Sequence, residues 1–324
     1  MILKIATVTT PLRQAFAISR GVRTEATTVR VAIDADGTTG RGECVPYARY
    51  DETVESVIDQ IERVRADIED GISRNDLLQA MSAGAARCAV DGALWDLEAK
   101  QTGKPVWQLA GLPKPSPIET ALTIGLDTPE AMQDAARACP GKLLKLKLGG
   151  AGDMDRIAAV HQAVPDVRFI IDGNEAMEPE RFPELAEKVG GLGVALIEQP
   201  FPAGNDDPLL NYSGPVPVCA DESAHTSADI EALSKRYNAV NIKLDKTGGL
   251  TEAIAMQRAA RDAGMGVMVG CMVAGSISMA PAILLGQVAD FVDVDGPTWL
   301  TDDVDYGLRF ENGQVYPPTA ALWG

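Results

Sequence analysis

Residues 143–200 contain three short apolar runs that each end in charged or polar side chains: LLKLKLG (143–149), RFIIDGN (168–174) and ALIEQP (195–200). Short apolar runs bounded by polar residues are typical of strands that are buried on both faces of a parallel sheet. The segment MDRIAAVHQAV (154–164), between the first two runs, has apolar residues at helical spacing. The alternation of strand and helix predicts a parallel sheet with helices packed against it.

The same rhythm continues on both sides of this stretch. Five further runs complete a set of eight at near-constant spacing: ETALTIG (119–125), VPVCADES (216–223), AVNIKLD (239–245), GVMVGCM (266–272) and FVDVDGP (291–297). Eight such repeats are typical of a (β/α)₈-type barrel. A doubly wound open sheet is the alternative. It normally has about six strands and often a Gly-rich phosphate turn after the first, and TIGLDTPE (123–130) is not such a turn.

The first third of the chain predicts a mixed α+β unit. Residues 27–34 alternate like an exposed edge strand, and Asp36-Gly37 predicts a hairpin before a strand at 38–43. Two helices are expected at about 52–70 and 75–101.

Three prolines between residues 113 and 117 then punctuate the chain as a domain boundary would. We therefore predict an α/β fold in two domains. An α+β capping domain (1–115) is completed by the C-terminal tail (299–324), and a modified (β/α)₇β TIM-type barrel (116–298) carries the site and lacks an eighth helix.

Composition restricts the partners of the protein. A formal net charge of -17 over 324 residues disfavours nucleic acid and anionic membranes. No apolar stretch is long enough to span a membrane, and the N-terminus lacks the pattern of a secretory signal. Five scattered cysteines without a CxxC pair argue against a disulfide framework, so we expect a cytoplasmic protein.

Acidic side chains end three successive predicted strands: Asp172, Glu198 and Asp221. The carboxyl ends of barrel strands form the active-site mouth, so these acids are expected to converge. Converging carboxylates repel one another unless a cation neutralises them. Oxygen ligands without Cys or His suit a hard ion, most simply Mg²⁺. One acid alone would more often be a solvated strand end, but three in equivalent positions favour a metal site.

Three lysines lie within apolar runs that end at the same barrel mouth. Lys145 and Lys147 have the same parity, so both face the barrel interior, and Lys243 ends a strand across the barrel. Two close ammonium groups lower each other's pKa, which would let one act as a base near neutral pH. Lysines on both sides of one carbon would permit proton removal from one face and return from the other. Solubilising surface lysines are the alternative, but they would not lie within apolar runs.

These motifs resemble the enolase superfamily and, within it, the muconate-lactonising-enzyme-like subgroup. The resemblance covers essentially the whole chain and rests on motifs that match in order, spacing and strand context: KLK (145–147), IIDGNE (170–175), IEQP (197–200), ADES (220–223) and NIKLDKTGG (241–249). Among the subgroup's members the sequence is most similar to the dipeptide epimerases, through SRGVRTEA (19–26), GECVPYARY (42–50), GAARCAVDGALWDL (84–97), NIKLDKTGGLTEA (241–253) and DVDGPTWL (293–300). Gly173 departs from the alanine that the family usually has.

The resemblance implies a role for each of these residues. One Mg²⁺ per subunit, which Mn²⁺ can replace, would be held by Asp172, Glu198 and Asp221. The acid/base pair would be Lys147 and Lys243, which transfer a proton at a carbon beside a carboxylate through a metal-stabilised enediolate. Lys145 would support Lys147 and the substrate carboxylate. Beside these implied roles, we expect the neighbouring Asn174, Glu175 and Glu222 to orient ligands and lysines.

The substrate is inferred from two further sites. Asp293 and Asp295 end the last strand with equal parity and form an anionic pocket suited to an ammonium group, which dipeptide epimerases use to hold the free N-terminus. Arg23 could pair with a glutamate side chain, with Arg20 or Arg49 either structural or sharing that task. The resemblance thus implies inversion of the C-terminal residue of L-Ala-L/D-Glu-like dipeptides, in murein peptide recycling, by an isomerase that can form homo-oligomers.

Two other functions are compatible with these residues. An N-succinyl or N-acylamino acid racemase, or an o-succinylbenzoate synthase-like enzyme, would use the same metal and lysines but gain nothing from Asp293 and Asp295. A non-catalytic barrel that binds metal and anions would have no use for lysines on two sides of one carbon.

Overall fold

The structure, a computed structural model, describes residues 1–210 and 212–324. It begins with an antiparallel sheet of β1 (Ile2–Ile18), β2 (Gly21–Ala35) and β3 (Thr38–Cys44), in the order β1-β2-β3. The predicted hairpin at Asp36-Gly37 is confirmed, and both turn residues have positive φ (50° and 77°). The prediction of an edge strand at 27–34 was wrong. It is the central strand of the sheet, because an unpredicted long strand covers its other side.

Five helices complete the N-terminal unit: α1 (Val54–Arg63), α2 (Arg65–Glu69), α3 (Arg74–Ala80), α4 (Ala85–Thr102) and α5 (Val106–Leu109). The two long helices expected here are therefore each divided, the first at Val64 and the second at residues 81–84. Helix α4 is almost entirely buried against β3. This close approach requires Gly42, because a Cβ there would lie 1.9 Å from the carbonyl oxygen of Ala89.

A parallel eight-stranded sheet follows the short strand β4 (Ile118–Glu119). Its members are β5 (Leu122–Ile124), β6 (Leu143–Lys147), β7 (Arg168–Asp172), β8 (Val194–Glu198), β9 (Val218–Ala220), β10 (Ala239–Lys243), β11 (Gly266–Gly270) and β12 (Phe291–Val292). Every strand pairs with its neighbours in chain order. The amide of Ala121 donates to the carbonyl of Val292 (2.7 Å), which joins the first and last strands. The predicted barrel is confirmed, since a doubly wound sheet would reverse its strand order.

Helices of varied length follow the strands of the barrel, and the last of them leads into the C-terminal tail. They are α6 (Pro129–Ala138), α7 (Asp153–Ala163), α8 (Phe182–Gly190), α9 (Ile230–Leu233), α10 (Leu244–Thr247), α11 (Leu250–Asp262), α12 (Ser276–Gly286) and α13 (Gly296–Trp299). In the described part of the chain no helix is long and apolar enough to cross a membrane.

The C-terminal tail contacts both units. Its hairpin, β13 (Phe310–Glu311) and β14 (Gln314–Val315), pairs with β4. Beyond the hairpin, the indole of Trp323 donates to the carbonyls of Arg41 (2.9 Å) and Gly92 (3.1 Å), and the amide of Gly324 donates to Asp96 (2.8 Å). These contacts support our proposal that the tail completes a capping domain of residues 1–115 and that the barrel occupies residues 116–298.

Candidate active site

The barrel interior is built in layers. A floor of buried side chains takes one residue from most strands: Ala121, Leu143, Ile170, Leu196, Cys219, Ala239 and Met268. Because side chains repeat with period two along a strand, the residues two positions further on face the same interior, one layer closer to the mouth. That layer contains charged and amide groups in sequence around the barrel: Lys145, Asp172, Glu198, Asp221 and Asn241. The apolar floor thus carries the polar site directly above it.

Lys145 lies at the centre of this layer and is almost completely buried. Its ammonium nitrogen is 2.7 Å from Glu198 Oε2, 2.9 Å from Asp293 Oδ2 and 3.2 Å from Asp172 Oδ2. A buried ammonium needs such partners, since an unpaired charge in this position would be very unfavourable. Lys145 therefore connects acids from three different strand ends.

The other two predicted lysines each pair with one acid. Lys147 donates to Asp172 Oδ2 (2.6 Å), and Lys243 donates to Asp221 Oδ2 (2.6 Å). Both side chains are only 9% exposed. They lie on β6 and β10, four strands apart, as the sequence predicted.

A fourth lysine, which the sequence did not assign to the site, is also present. Lys246 lies in helix α10 and is fully buried. It donates to Asp221 Oδ1 (2.6 Å), to the main-chain carbonyl of Asp221 and to the carbonyl of Asn241 (3.1 Å). Its ammonium is thus fully satisfied, and it fixes the end of β9 against β10.

The acids dominate the electrostatics of the site. Burial lowers the pKa of Lys145, but the carboxylates of Asp293, Glu198 and Asp172 outweigh it and hold the pKa well above its ordinary value. At Lys243, burial also lowers the pKa, but the carboxylate of Asp221 outweighs it, and the net shift is upward. The sequence argument expected the neighbouring ammonium groups of Lys145 and Lys147 to lower each other's pKa. At Lys145 this prediction was wrong in direction, because three carboxylates lie within 3.2 Å of its ammonium nitrogen.

The pKa values of Asp172 and Glu198 shift in opposite directions. Burial raises the pKa of Asp172, but Lys147 and Lys145 outweigh it, and the net shift is downward. At Glu198, burial and the negative charge of Asp172 prevail over Lys145 and raise the pKa to about 8.

The acids of this layer do not form a ready-made metal site. Within the described residues no three His, Cys, Asp or Glu side chains are close enough to hold a metal ion as they stand. Lysine ammonium groups lie among these acids. Several buried side-chain oxygens nevertheless have no hydrogen-bond donor: Asn174 Oδ1, Glu198 Oε2, Glu222 Oε2, Asn241 Oδ1 and Asp293 Oδ1. Glu198 Oε2 is close to Lys145, but without the geometry of a hydrogen bond. Buried oxygens that lack donors fit a hard cation or the N–H groups of a ligand.

The strand ends that carry the acids have a strained backbone. Asn174, Glu175 and Gln199 all have positive φ (40°, 69° and 31°). Gln199 is held there because its side-chain oxygen accepts from the amide of Asp221 (2.7 Å), so it ties β8 to β9. The space beside Gly173 is also restricted, because a Cβ at this position would lie 3.0 Å from the Gln199 carbonyl oxygen.

Loops of the capping domain close over the barrel mouth through ion pairs. Arg49 binds Glu175 through two hydrogen bonds (2.8 and 2.7 Å), and Arg20 binds Glu222 (2.7 Å) and Glu175 (3.2 Å). Arg20 also donates to the carbonyl of Asn174 (3.1 Å). Arg20 and Arg49 therefore serve to attach the capping domain, and Glu222 joins that attachment to the strand end of Asp221.

A cavity remains between the capping loops and the barrel. Its empty space is about 580 Å³ and continues to solvent. Lys147 and Lys243 both line it, as do Asp221, Arg23 and Glu222. The two predicted proton-transfer groups thus face one space from different strands.

Asp293 and Asp295, which follow β12, make different contacts. Asp293 Oδ2 accepts from Lys145, while its Oδ1 has no donor. Asp295 Oδ2 instead accepts from the amide of Thr123 (2.7 Å) and the indole of Trp299 (3.3 Å). Neither acid contributes to the lining of the main cavity. Burial and Asp293 raise the pKa of Asp295 to about 6.

Sequence analysis also missed Asn241, Tyr47 and Tyr50. Asn241 donates to Glu198 Oε1 (2.8 Å), and it could have been found, because it shares the parity of Lys243. Tyr47 and Tyr50 line the cavity from a short 3₁₀ segment, which has no periodic signal.

Comparison with known proteins agrees with this architecture. Residues 2–111 match the N-terminal domain of mandelate racemase/muconate lactonizing enzymes, and residues 128–321 match the enolase C-terminal domain-like family. An L-Ala-D/L-Glu epimerase of Escherichia coli (strain K12) is 43% identical over 94% of this chain and 96% of its own. An N-acetyl-D-glutamate racemase of Pseudoalteromonas sp. is 42% identical over 88% of this chain and 91% of its own.

A solved structure is also similar in shape to this protein. It is an enolase family member from Agrobacterium tumefaciens with homology to dipeptide epimerases, with bound sodium and L-Ala-L-Glu, and it superposes with a TM-score of 0.97. The two proteins are 45% identical, with 99% of each chain covered. Both named relatives are isomerases of amino acid derivatives, which confirms the expected enzyme class. The two domains, the layered barrel mouth and these matches together show that the chain belongs to the enolase superfamily, in its mandelate racemase/muconate lactonizing enzyme group.

Proposed function

We propose that this protein is a dipeptide epimerase that inverts the α-carbon of the C-terminal residue of L-Ala-L/D-Glu-like dipeptides. The observation that carries the proposal is the placement of Lys147 and Lys243, which line one cavity from strands four apart in the barrel. A carbon held between them would have an amine on each face.

The proton transfer follows from that placement. One lysine, as the free amine, takes the α-proton from one face of the substrate carbon, and the other, as the ammonium, delivers a proton to the opposite face. The α-carbon thereby changes configuration, and the reverse direction exchanges the roles of the two lysines. The capping loops, which Arg49 and Arg20 attach to the barrel, cover part of the cavity and would limit the access of water to the carbon.

We further propose that Asp172, Glu198 and Asp221 hold one Mg²⁺, which Mn²⁺ can replace. Such an ion supplies charge stabilisation for a substrate carboxylate whose α-proton is leaving. Lys145, between Glu198 and Asp293, is close enough to these acids to assist in neutralising that carboxylate. The all-oxygen donors and the unpaired oxygen of Asn241 support this assignment.

The two ends of the dipeptide are assigned to opposite sides of the site. The unpaired Oδ1 of Asp293 is suited to the substrate ammonium, although Asp293 does not itself line the cavity. Asp295 would add negative charge to that pocket, although its Oδ2 is held by Thr123 and Trp299. The exposed guanidinium of Arg23 lines the cavity and would bind the glutamate side-chain carboxylate. A cytoplasmic location and a role in murein peptide recycling are part of this proposal.

An N-acylamino acid racemase is the second candidate, because a relative with that kind of name, N-acetyl-D-glutamate racemase, is 42% identical. It would use the same lysines and Arg23 but would not need an ammonium pocket. The unpaired oxygen of Asp293 favours the dipeptide, since a buried acceptor gains from a charged donor.

Incubation with L-Ala-L-Glu and Mg²⁺ in D₂O tests the proposal. We expect the glutamate α-proton signal to disappear in NMR spectra, the D-epimer to accumulate by polarimetry, and EDTA to stop both. N-acetyl-L-glutamate is the matched alternative substrate. Faster turnover of that compound than of any dipeptide would replace the proposed function by the second candidate, and turnover that EDTA leaves unchanged would refute the metal assignment.

A further inference from the structure

Arg23 rests on the face of an aromatic ring. Its guanidinium carbon lies 4.7 Å from the ring centroid of Tyr47, and both residues line the cavity. Within the part of the chain that the structure describes, the Arg23 guanidinium makes no hydrogen bond or ion pair. A guanidinium stacked on a ring keeps its N–H edge free, and that edge is the part that binds a carboxylate.

Tyr47 is itself held firmly at its backbone. Its amide donates to Glu52 Oε2 (3.1 Å), while Glu52 Oε1 accepts from the amide of Ala85 (2.7 Å), the first residue of α4. One carboxylate therefore joins the loop that carries Tyr47 to the N-terminus of the long buried helix of the capping domain.

The ring is also fixed at its hydroxyl end. Arg20 donates to the Tyr47 hydroxyl through a long hydrogen bond (3.5 Å), and the same guanidinium binds Glu222 (2.7 Å) and Glu175 (3.2 Å) of the barrel. The ring of Tyr50 packs beside it, with centroids 5.5 Å apart. Contacts from both domains thus determine where the face of Tyr47 lies.

We propose that Tyr47 is a positioning residue that sets the preference for an acidic C-terminal residue, by holding the Arg23 guanidinium in the orientation that receives the side-chain carboxylate. The inference rests on the proposed function. An arginine on a hairpin tip has many rotamers, and ordering it only when substrate binds would reduce affinity. Tyr47 orders the arginine before substrate binds. This ordering should strengthen the binding of anionic side chains and leave the transfer of the α-proton unchanged.

The test compares L-Ala-L-Glu with L-Ala-L-Gln, which has the same shape without the charge. The measured quantity is the ratio of their kcat/KM values. We expect Tyr47→Leu to lower this ratio about two- to thirtyfold, the range of a cation–π contact, mainly through KM for L-Ala-L-Glu. Tyr47→Phe retains the ring face and should lose much less. In a double-mutant cycle, Tyr47→Leu should change the ratio no further once Arg23→Gln is present.

Tyr316→Leu is the matched control. It removes another arginine–tyrosine stack, with the Arg309 guanidinium carbon 3.3 Å from the ring centroid, in the C-terminal tail outside the cavity. It should leave the ratio unchanged. The inference would be overturned if the Tyr47 variants lost kcat/KM equally for both substrates, or if their effects added to that of Arg23→Gln. Either result would leave the proposed function intact. Absence of L-Ala-L-Glu turnover by the unaltered protein would overturn both. If Tyr47→Leu does not fold, Tyr47→Met takes its place in the same cycle, because its longer side chain fills more of the volume of the ring without supplying a π face.

Discussion

Asp293→Asn should separate dipeptides from N-acylated substrates. The change removes the negative charge beside the proposed ammonium position, where Asp293 Oδ1 is buried and has no donor. A hydrogen bond between charged groups contributes about 1.5–3 kcal/mol, so kcat/KM for L-Ala-L-Glu should fall roughly 10- to 150-fold. Lys145 keeps two carboxylates, Glu198 at 2.7 Å and Asp172 at 3.2 Å, so its ammonium stays paired and the centre of the site should persist.

The assay measures kcat/KM by polarimetry for L-Ala-L-Glu and for N-acetyl-L-glutamate, whose amide carries no charge. We expect the second value to change about threefold or less, because it lacks the charge-assisted contact. Asp290→Asn is the control, since Asp290 precedes the same strand and pairs with Arg261 away from the cavity. Equal losses for both substrates would show that Asp293 acts only through Lys145. An unchanged value for the dipeptide would refute the ammonium pocket.

Two further predictions concern proton transfer and stability. Lys147→Ala and Lys243→Ala should each lower the rate of epimerisation about 10²- to 10⁴-fold. Each variant should still exchange the α-proton of one epimer with D₂O, and the epimer should differ between the two variants. Exchange of both epimers by one variant would refute the two-sided arrangement. Asp91, buried beneath α11, has its pKa raised from 3.8 to about 6 by burial, so its contribution to stability is complete below pH 3.8 and declines as the pH rises through about 6. Asp91→Asn removes this decline. Chemical denaturation should therefore show its free energy of unfolding rising relative to the unaltered protein by about 2.5 kcal/mol between pH 4 and 7. A constant difference would contradict this.

Much of the site was visible in the sequence because strand periodicity is simple. Lys145 and Lys147 share a parity, and apolar runs end in acids at equivalent positions, so the barrel alone brings them to one mouth. The same argument could have included Asn241. The fold was predictable for the same reason, since eight repeats of strand and helix have few alternatives.

Other features depend on contacts that periodicity does not specify. Lys246 lies on a single helical turn after β10, where the period changes from two, so its direction towards Asp221 could not be inferred. The pairing of Asp295 with Thr123 depends on how the first and last barrel strands meet. The capping-domain sheet was misjudged because its first strand has no clean alternation to mark it as a strand.

The direction of the lysine pKa shifts has a consequence for how the site works. Lys145 and Lys243 have raised pKa values because their carboxylate neighbours outweigh burial. Those neighbours include Glu198 and Asp221, two of the proposed metal ligands. A carboxylate that coordinates a cation offers less negative charge to an adjacent ammonium, so occupation of the metal site would lower the pKa of these lysines. If the proposed ligands bind a metal, its affinity and the basicity of the lysines would be linked through shared acids. Coordination of Glu198 and Asp221 would then favour a free amine that can act as a base.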